Sequence, residues 1–162
     1  MKHKISLSLA NASQIVDAAL QEARSMGMHP LTVVVLDGSG RIIACKSEDG
    51  SGLLRFDVAY GKAWGALGMG ISSRLIRDRL SERPTFVNAL SSAAGGRLIP
   101  VPGGVLIEDS EGFTIGAVGI SGDTSEKDEH CAIKGIHSIG FASEPGDSDP
   151  DWQNSTLSDK QP

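Results

Sequence analysis

The order of hydrophobic patterns predicts an α+β fold, a central antiparallel sheet with flanking helices. Two segments read as β-hairpins, at 31–45 and 104–121. Helical patterns precede the first hairpin, fill the interval between the two and follow the second. Hairpin strands pair antiparallel, and grouped helices speak against a doubly wound parallel sheet.

Taken in order, Ser8 is the expected N-cap of the first helix. Apolar or small residues recur from there at Ala12, Ile15, Val16, Ala19, Leu20 and Ala23, one face of a helix closed by Gly27 and His29-Pro30. The β-branched run "LTVVVL" turns at Asp37-Gly38-Ser39-Gly40 into "RIIAC", giving the first hairpin. A second helix is expected from about Leu53 to Met69. Gly61, Gly65 and Gly68 lie inside it, each costing about 1 kcal/mol against alanine unless a neighbour must come close. Ser72 or Ser73 caps a short helix through Leu80, and another runs from Pro84 to Ala89 or Leu90. "GVLIE" and "FTIGAVGIS" form the second hairpin, and a last helix is expected from about Ser125 to Phe141.

The 162 residues suit one domain, 1–142, followed by an acidic tail at 143–162. That tail is poor in hydrophobics and rich in turn formers, so disorder is expected of it. Of the net charge of −5, the tail accounts for most, leaving the body nearly neutral and without a basic stripe. Nucleic acid is thereby an improbable partner, since phosphate neutralisation needs clustered Lys and Arg. No apolar run approaches the roughly 20 residues of a membrane span. The short Ile5–Leu9 run, interrupted by serine, is too brief for a signal peptide. Cys45 and Cys131 show no CxxC spacing and fit a reduced, cytoplasmic protein.

No GxGxxG, P-loop or HExxH motif occurs, which argues against dinucleotide, phosphate-loop and zincin chemistry. His130 and His137 stand seven apart on one face of the last helix, where i,i+4 would suit a shared metal better; either could still be an axial ligand to a haem iron, which needs only one imidazole. Ser121 lacks the GxSxG context of a nucleophile. Gly122 reads as a sharp bend, with Asp123, Thr124 or Ser125 capping the helix and Ser125–Asp128 resembling a capping box. Acids Glu126, Asp128 and Glu129 in that helix start disfavour a bound anion. Arg55 and Lys62, two turns apart, present positive charge to a pocket or a subunit edge. Gly103-Gly104 and Ser121-Gly122 open and close the second hairpin, so these four residues are expected to share one rim of a pocket.

The stretches "VVVLDGSGRIIAC", "DVAYGKAWGALGMGISS", "PGGVLI" and "GFTIGAVGISGDTSEKDEHCAIKGI" resemble the GlcG/HbpS-like haem-binding family, which includes the C-terminal module of certain cobalamin adenosyltransferases. The resemblance covers about residues 5–141. It implies a profilin-like architecture, a homo-oligomer built from dimers up to octamers, and haem or iron binding. Other members accompany enzymes of glycolate, diol or aromatic-acid breakdown. The resemblance places Lys62, Gly103, Gly104, Ser121, Gly122, Asp128 and Glu129 at the pocket. This chain departs from the family at "CKSEDGSGLLRF", where an Arg-Met-Asp-Gly stretch is common.

Two functions fit these residues. One is an oligomeric binding protein for haem or a related tetrapyrrole, with His130, or else His29 or His137, reaching the iron. The other is a small enzyme or catabolic accessory protein acting on a carboxylated metabolite. There Arg55 and Lys62 would hold the carboxylate, and Asp128 or Glu129 would move a proton in an isomerase or lyase step. A plain assembly module, with the glycine-rich helix as the contact between copies, is a third possibility.

Overall fold

The computed structural model describes residues 5–157. Five helices and five strands follow one another as α1 (Leu9–Ser25), β1 (Thr32–Asp37), β2 (Ile42–Ser47), α2 (Arg55–Met69), α3 (Ser73–Leu80), α4 (Pro84–Ala93), β3 (Gly104–Glu108), β4 (Thr114–Ser121), α5 (Ser125–His137) and β5 (Ala142–Glu144). All strand pairs are antiparallel, in the order β2-β1-β4-β3-β5. The α+β class read from the sequence is the observed one.

Alternation along the strands divides the core in two. Val33, Val35, Val105, Ile107, Val118 and Ile120 face α1 and α5. Val34, Leu36, Leu106 and Ala117 face the alanines of α2 on the other side. β1 lies inside the sheet under helices on both faces, so its whole length is buried and its run of valines needs no polar alternation. α2 lies very close to the sheet because β-strand glycines make room for it. A Cβ on Gly119 would collide with the Ala59 carbonyl, and one on Gly104 with the Lys62 carbonyl. Within α2, Gly61 and Gly65 instead admit the segment carrying Leu98 and Ile99.

Caps fall close to where the sequence puts them. Ser8 accepts from Asn11 N, Ser72 from Leu75 N and Thr124 from Lys127 N. Thr124 rather than Ser125 is thus the cap of α5, and the expected Ser125–Asp128 box does not form, because Asp128 turns inward. α5 ends at His137, short of Phe141, which folds back against the α1–α5 core.

The largest correction concerns the tail. Residues 142–144 form β5 along the free edge of β3, pairing Leu106 with Glu144 and Ile107 with Ser143. An unpaired strand edge recruits whatever backbone can satisfy it, whatever the side chains. The Glu144 carboxylate then accepts from both the Ser72 N–H and the Ser72 hydroxyl. Residues 145–157 continue as a strap over α5, with a 3-10 turn at Trp152–Asn154. Disorder therefore does not describe 143–157; the rest of the tail lies outside the described residues.

Candidate functional site

Lys62 is the largest side chain buried to within 2% of full enclosure. It starts on α2, on one face of the sheet, and its ammonium reaches the end of β4. There Nζ donates to the Ile120 carbonyl at 2.9 Å and to Asp128 Oδ2 at 3.0 Å. Gly103 makes the passage possible: a Cβ there would sit 2.9 Å from Nζ. Gly103, at φ 114°, also accepts from Ile120 N, which closes the start of the hairpin onto its end. Asp128 Oδ1 accepts from Asp123 N, so both carboxylate oxygens are used. Burial pushes the Asp128 carboxyl up, opposed by Lys62, the Asp123 N–H and Arg55. Ser73, a candidate helix cap in the sequence, instead holds the start of β3, accepting from Gly104 N at 2.7 Å.

Beside this closed pair stands an open one. Arg55, half-buried at the start of α2, donates from Nη1 to Ser121 Oγ at 3.2 Å. Ser121 is in register with Thr32, and Thr32 with Ser47, so three hydroxyls cross the sheet in one row. Thr32 Oγ1 also meets Ser51 Oγ at 2.8 Å. Arg55 forms no ion pair among the described residues, which leaves its charge available to a carboxylate.

The two ends of the second hairpin do meet, but around the protein's own Lys62 ammonium. Gly103, Gly104, Ser121, Lys62 and Asp128 converge at one end of the sheet. Gly122 serves the bend, pressed against the Pro30 carbonyl and Leu31. Of the six expected ligand-binding residues, Lys62, Gly103, Gly104 and Gly122 are filled by the protein's own atoms. Arg55 is the one that still presents a polar group outward.

Asp128 and Glu129 are neighbours in sequence and so point in different directions from the helix. Glu129 is 0% exposed, and neither carboxylate oxygen accepts a hydrogen bond. Its nearest cation is Arg74, with Nε 3.4 Å from Oε1. Burial raises its pKa to about 7, against the pull of Arg74 and Arg77.

His130, on the next position of α5, has both ring nitrogens engaged. Nε2 lies 3.0 Å from Glu22 Oε1 of α1, and Nδ1 2.8 Å from Ser148 Oγ of the strap. An ionised carboxylate only accepts, so Nε2 carries the hydrogen. In the neutral ring, Nδ1 therefore holds the lone pair and accepts from Ser148. Burial lowers the imidazole pKa despite Glu22, which favours that neutral form. The Trp152 indole stacks on the ring at 3.7 Å and 12°. His29 and His137 are exposed; the His29 backbone N–H bonds Asp123, and His137 Nε2 lies 2.9 Å from Ser143 Oγ.

Residues 7–137 match the family model described as haem degrading protein HbpS-like. The chain belongs to the HbpS-like family. No curated protein matches it. It is similar to the structure of a PduOC:heme complex, at 26% identity and a TM-score of 0.76, over 85% of this chain and 98% of that one. It is also similar to Klebsiella pneumoniae protein ORFY of DUF336, at 24% identity and 0.74, over 84% and 92%. A double mutant of Streptomyces reticuli HbpS follows at 24% and 0.72, over 86% and 91%. The last two bear on the fold alone.

In this HbpS-like chain the matched span stops at His137. β5 and the strap lie beyond it, so Ser148 and Trp152, which meet His130, are outside the matched span. Among the described residues no helix is long and apolar enough to cross a membrane, and no three His, Cys, Asp or Glu gather as a metal cluster. A tetrapyrrole carries its own ring of metal ligands and asks only one imidazole of a protein. His130 fits such a group as axial ligand: one nitrogen has a lone pair, and the other is fixed by a carboxylate, the usual support of a metal-bound imidazole. Sequence reasoning singled out His130 as a candidate but not its partners Glu22 and Ser148, which no local spacing connects to it.

Proposed function

We propose that this HbpS-like protein binds haem or a related tetrapyrrole, with His130 Nδ1 as the iron ligand. The Glu22–His130 pair carries this reading, because it orients the ring and leaves Nδ1 as the lone-pair nitrogen. The family description and the heme complex of a similar structure support it. Bound haem would supply a redox-active iron. The chain's own contribution is a neutral, oriented imidazole in a site from which water is largely excluded. Leu53 and Leu54, 94% and 70% exposed, and α4, with no buried residue, supply apolar surface for contacts between copies of a homo-oligomer. Two free cysteines accord with a cytoplasmic location. Haemin titration tests the reading. A saturable Soret shift that His130→Ala abolishes is expected; no saturable shift, or one untouched by the substitution, overturns it.

A second reading is favoured by Arg55 alone. An unpaired guanidinium over a row of hydroxyls suits a carboxylated metabolite, as in an enzyme or accessory protein of catabolism. Asp128 is bound to Lys62 and Glu129 is enclosed beside Arg74, so neither faces a ligand at Arg55. A thermal-shift screen of hydroxy and keto acids decides it. Stabilisation lost in Arg55→Ala supports the reading, and no stabilisation of the wild type removes it.

A further inference from the structure

The strap covers more than it buries. None of residues 145–157 is itself buried, and its one regular element is the 3-10 turn. Beneath it lie two buried ionisable groups, Glu129 and His130. Its attachments are polar and few. Arg74 Nη2 donates to the Asp147 carbonyl at 2.9 Å, and Nη1 lies 4.0 Å from Asp149. At the far end Ser155 Oγ meets Thr124 Oγ1 at 2.6 Å.

Two strap residues act on His130 itself. The Ser148 hydroxyl caps Nδ1, the only ring nitrogen with a lone pair, and the Trp152 indole covers the ring face. Ser148 stands where a metal bonded to Nδ1 would sit, and the indole stacked over the ring closes the space beside it that a bulky group around such a metal would need. A cleft of about 250 Å³ flanks the indole between Met26, Met28, Asp123 and Lys127, into which a larger planar group can extend once Trp152 leaves. The glutamate contact to Nε2 comes from α1 and is independent of the strap.

We propose that residues 145–157 are a displaceable lid on a metal-ligating imidazole, and that a planar metal macrocycle binds His130 by expelling Ser148 and Trp152. This rests on the tetrapyrrole reading above. It adds that ligand affinity is set by the lid, a part of this chain outside the span matched to the family. A lid open in about a tenth of molecules weakens binding about tenfold relative to one that cannot close.

The test uses the full chain and its Ser148→Ala/Trp152→Ala double variant, which removes no buried residue. Carbethoxylation of His130, followed by mass spectrometry without ligand, reads the cover directly. Haemin and Zn²⁺ titrations read the ligand, as macrocycle-bound and bare metal. The lid predicts faster His130 modification in the variant and about tenfold tighter haemin binding, lost when His130→Ala is added. Unchanged modification overturns the lid. Faster modification with unchanged haemin affinity also overturns it, while leaving haem binding in place. If neither protein binds haemin, the tetrapyrrole reading falls. In that case tightened Zn²⁺ binding retains the lid over a metal-ligating imidazole, and unchanged Zn²⁺ binding overturns both.

Discussion

Lys62 on α2 and Asp128 on α5 belong to helices on opposite faces of the sheet, yet their side chains meet at 3.0 Å around the end of β4. The pair is 2% and 1% exposed and ties the two layers together. Removing one partner of such a pair strands a buried charge, which typically costs about 3–5 kcal/mol. Lys62→Met should lower the unfolding free energy by that amount in urea melts. Lys62→Met/Asp128→Asn should recover part of the loss, since no uncompensated charge remains. A single variant as stable as the wild type would show that the pair is not structural.

Glu129 makes stability depend on pH. The folded protein holds its proton up to about pH 7, whereas an unperturbed glutamate releases it at 4.5. Folding therefore binds a proton between those values, and stability falls as pH rises through that window. The full loss is on the order of 3 kcal/mol above pH 7. Denaturant melts from pH 4.5 to 8 should show the fall in the wild type and a flatter profile in Glu129→Gln. Parallel profiles would contradict the assignment.

Gly119 of β4 and Gly68 of α2 should respond oppositely to alanine. Gly119→Ala drives a methyl into the Ala59 carbonyl, and overpacking of this kind should cost more than about 2 kcal/mol. Gly68 is exposed, and a Cβ there meets only the Trp64 ring at an ordinary 3.8 Å. Gly68→Ala should stabilise α2 by about 0.5–1 kcal/mol in thermal melts. Equal effects at the two positions would refute the close approach of α2 to the sheet.

The fold was largely legible because each element signals locally. β1 carries its own β-branched run, Ser8 and Ser72 their own caps, and the hairpin turns their glycines. The convergence of Gly103 with Ser121 was legible as well, since a hairpin must bring its ends together. What the residues around them do was not. Lys62 reads as a solvated or ligand-binding cation until Gly103 and Asp128, 41 and 66 positions away, are placed beside it. Nor does composition foretell the strap: residues 143–157 are polar, but their polar groups find partners on Ser72, Arg74, Thr124 and His130. Disorder is predicted from low hydrophobicity, and a free strand edge with a line of hydrogen-bond partners overrides it.

The central claim concerns which nitrogen of His130 can reach a metal. Long-range ¹H–¹⁵N correlation of the imidazole in the ligand-free protein at pH 7 observes this directly. The account predicts a neutral ring with the hydrogen on Nε2, facing Glu22, and a bare Nδ1. A hydrogen on Nδ1, or an imidazolium, would contradict it.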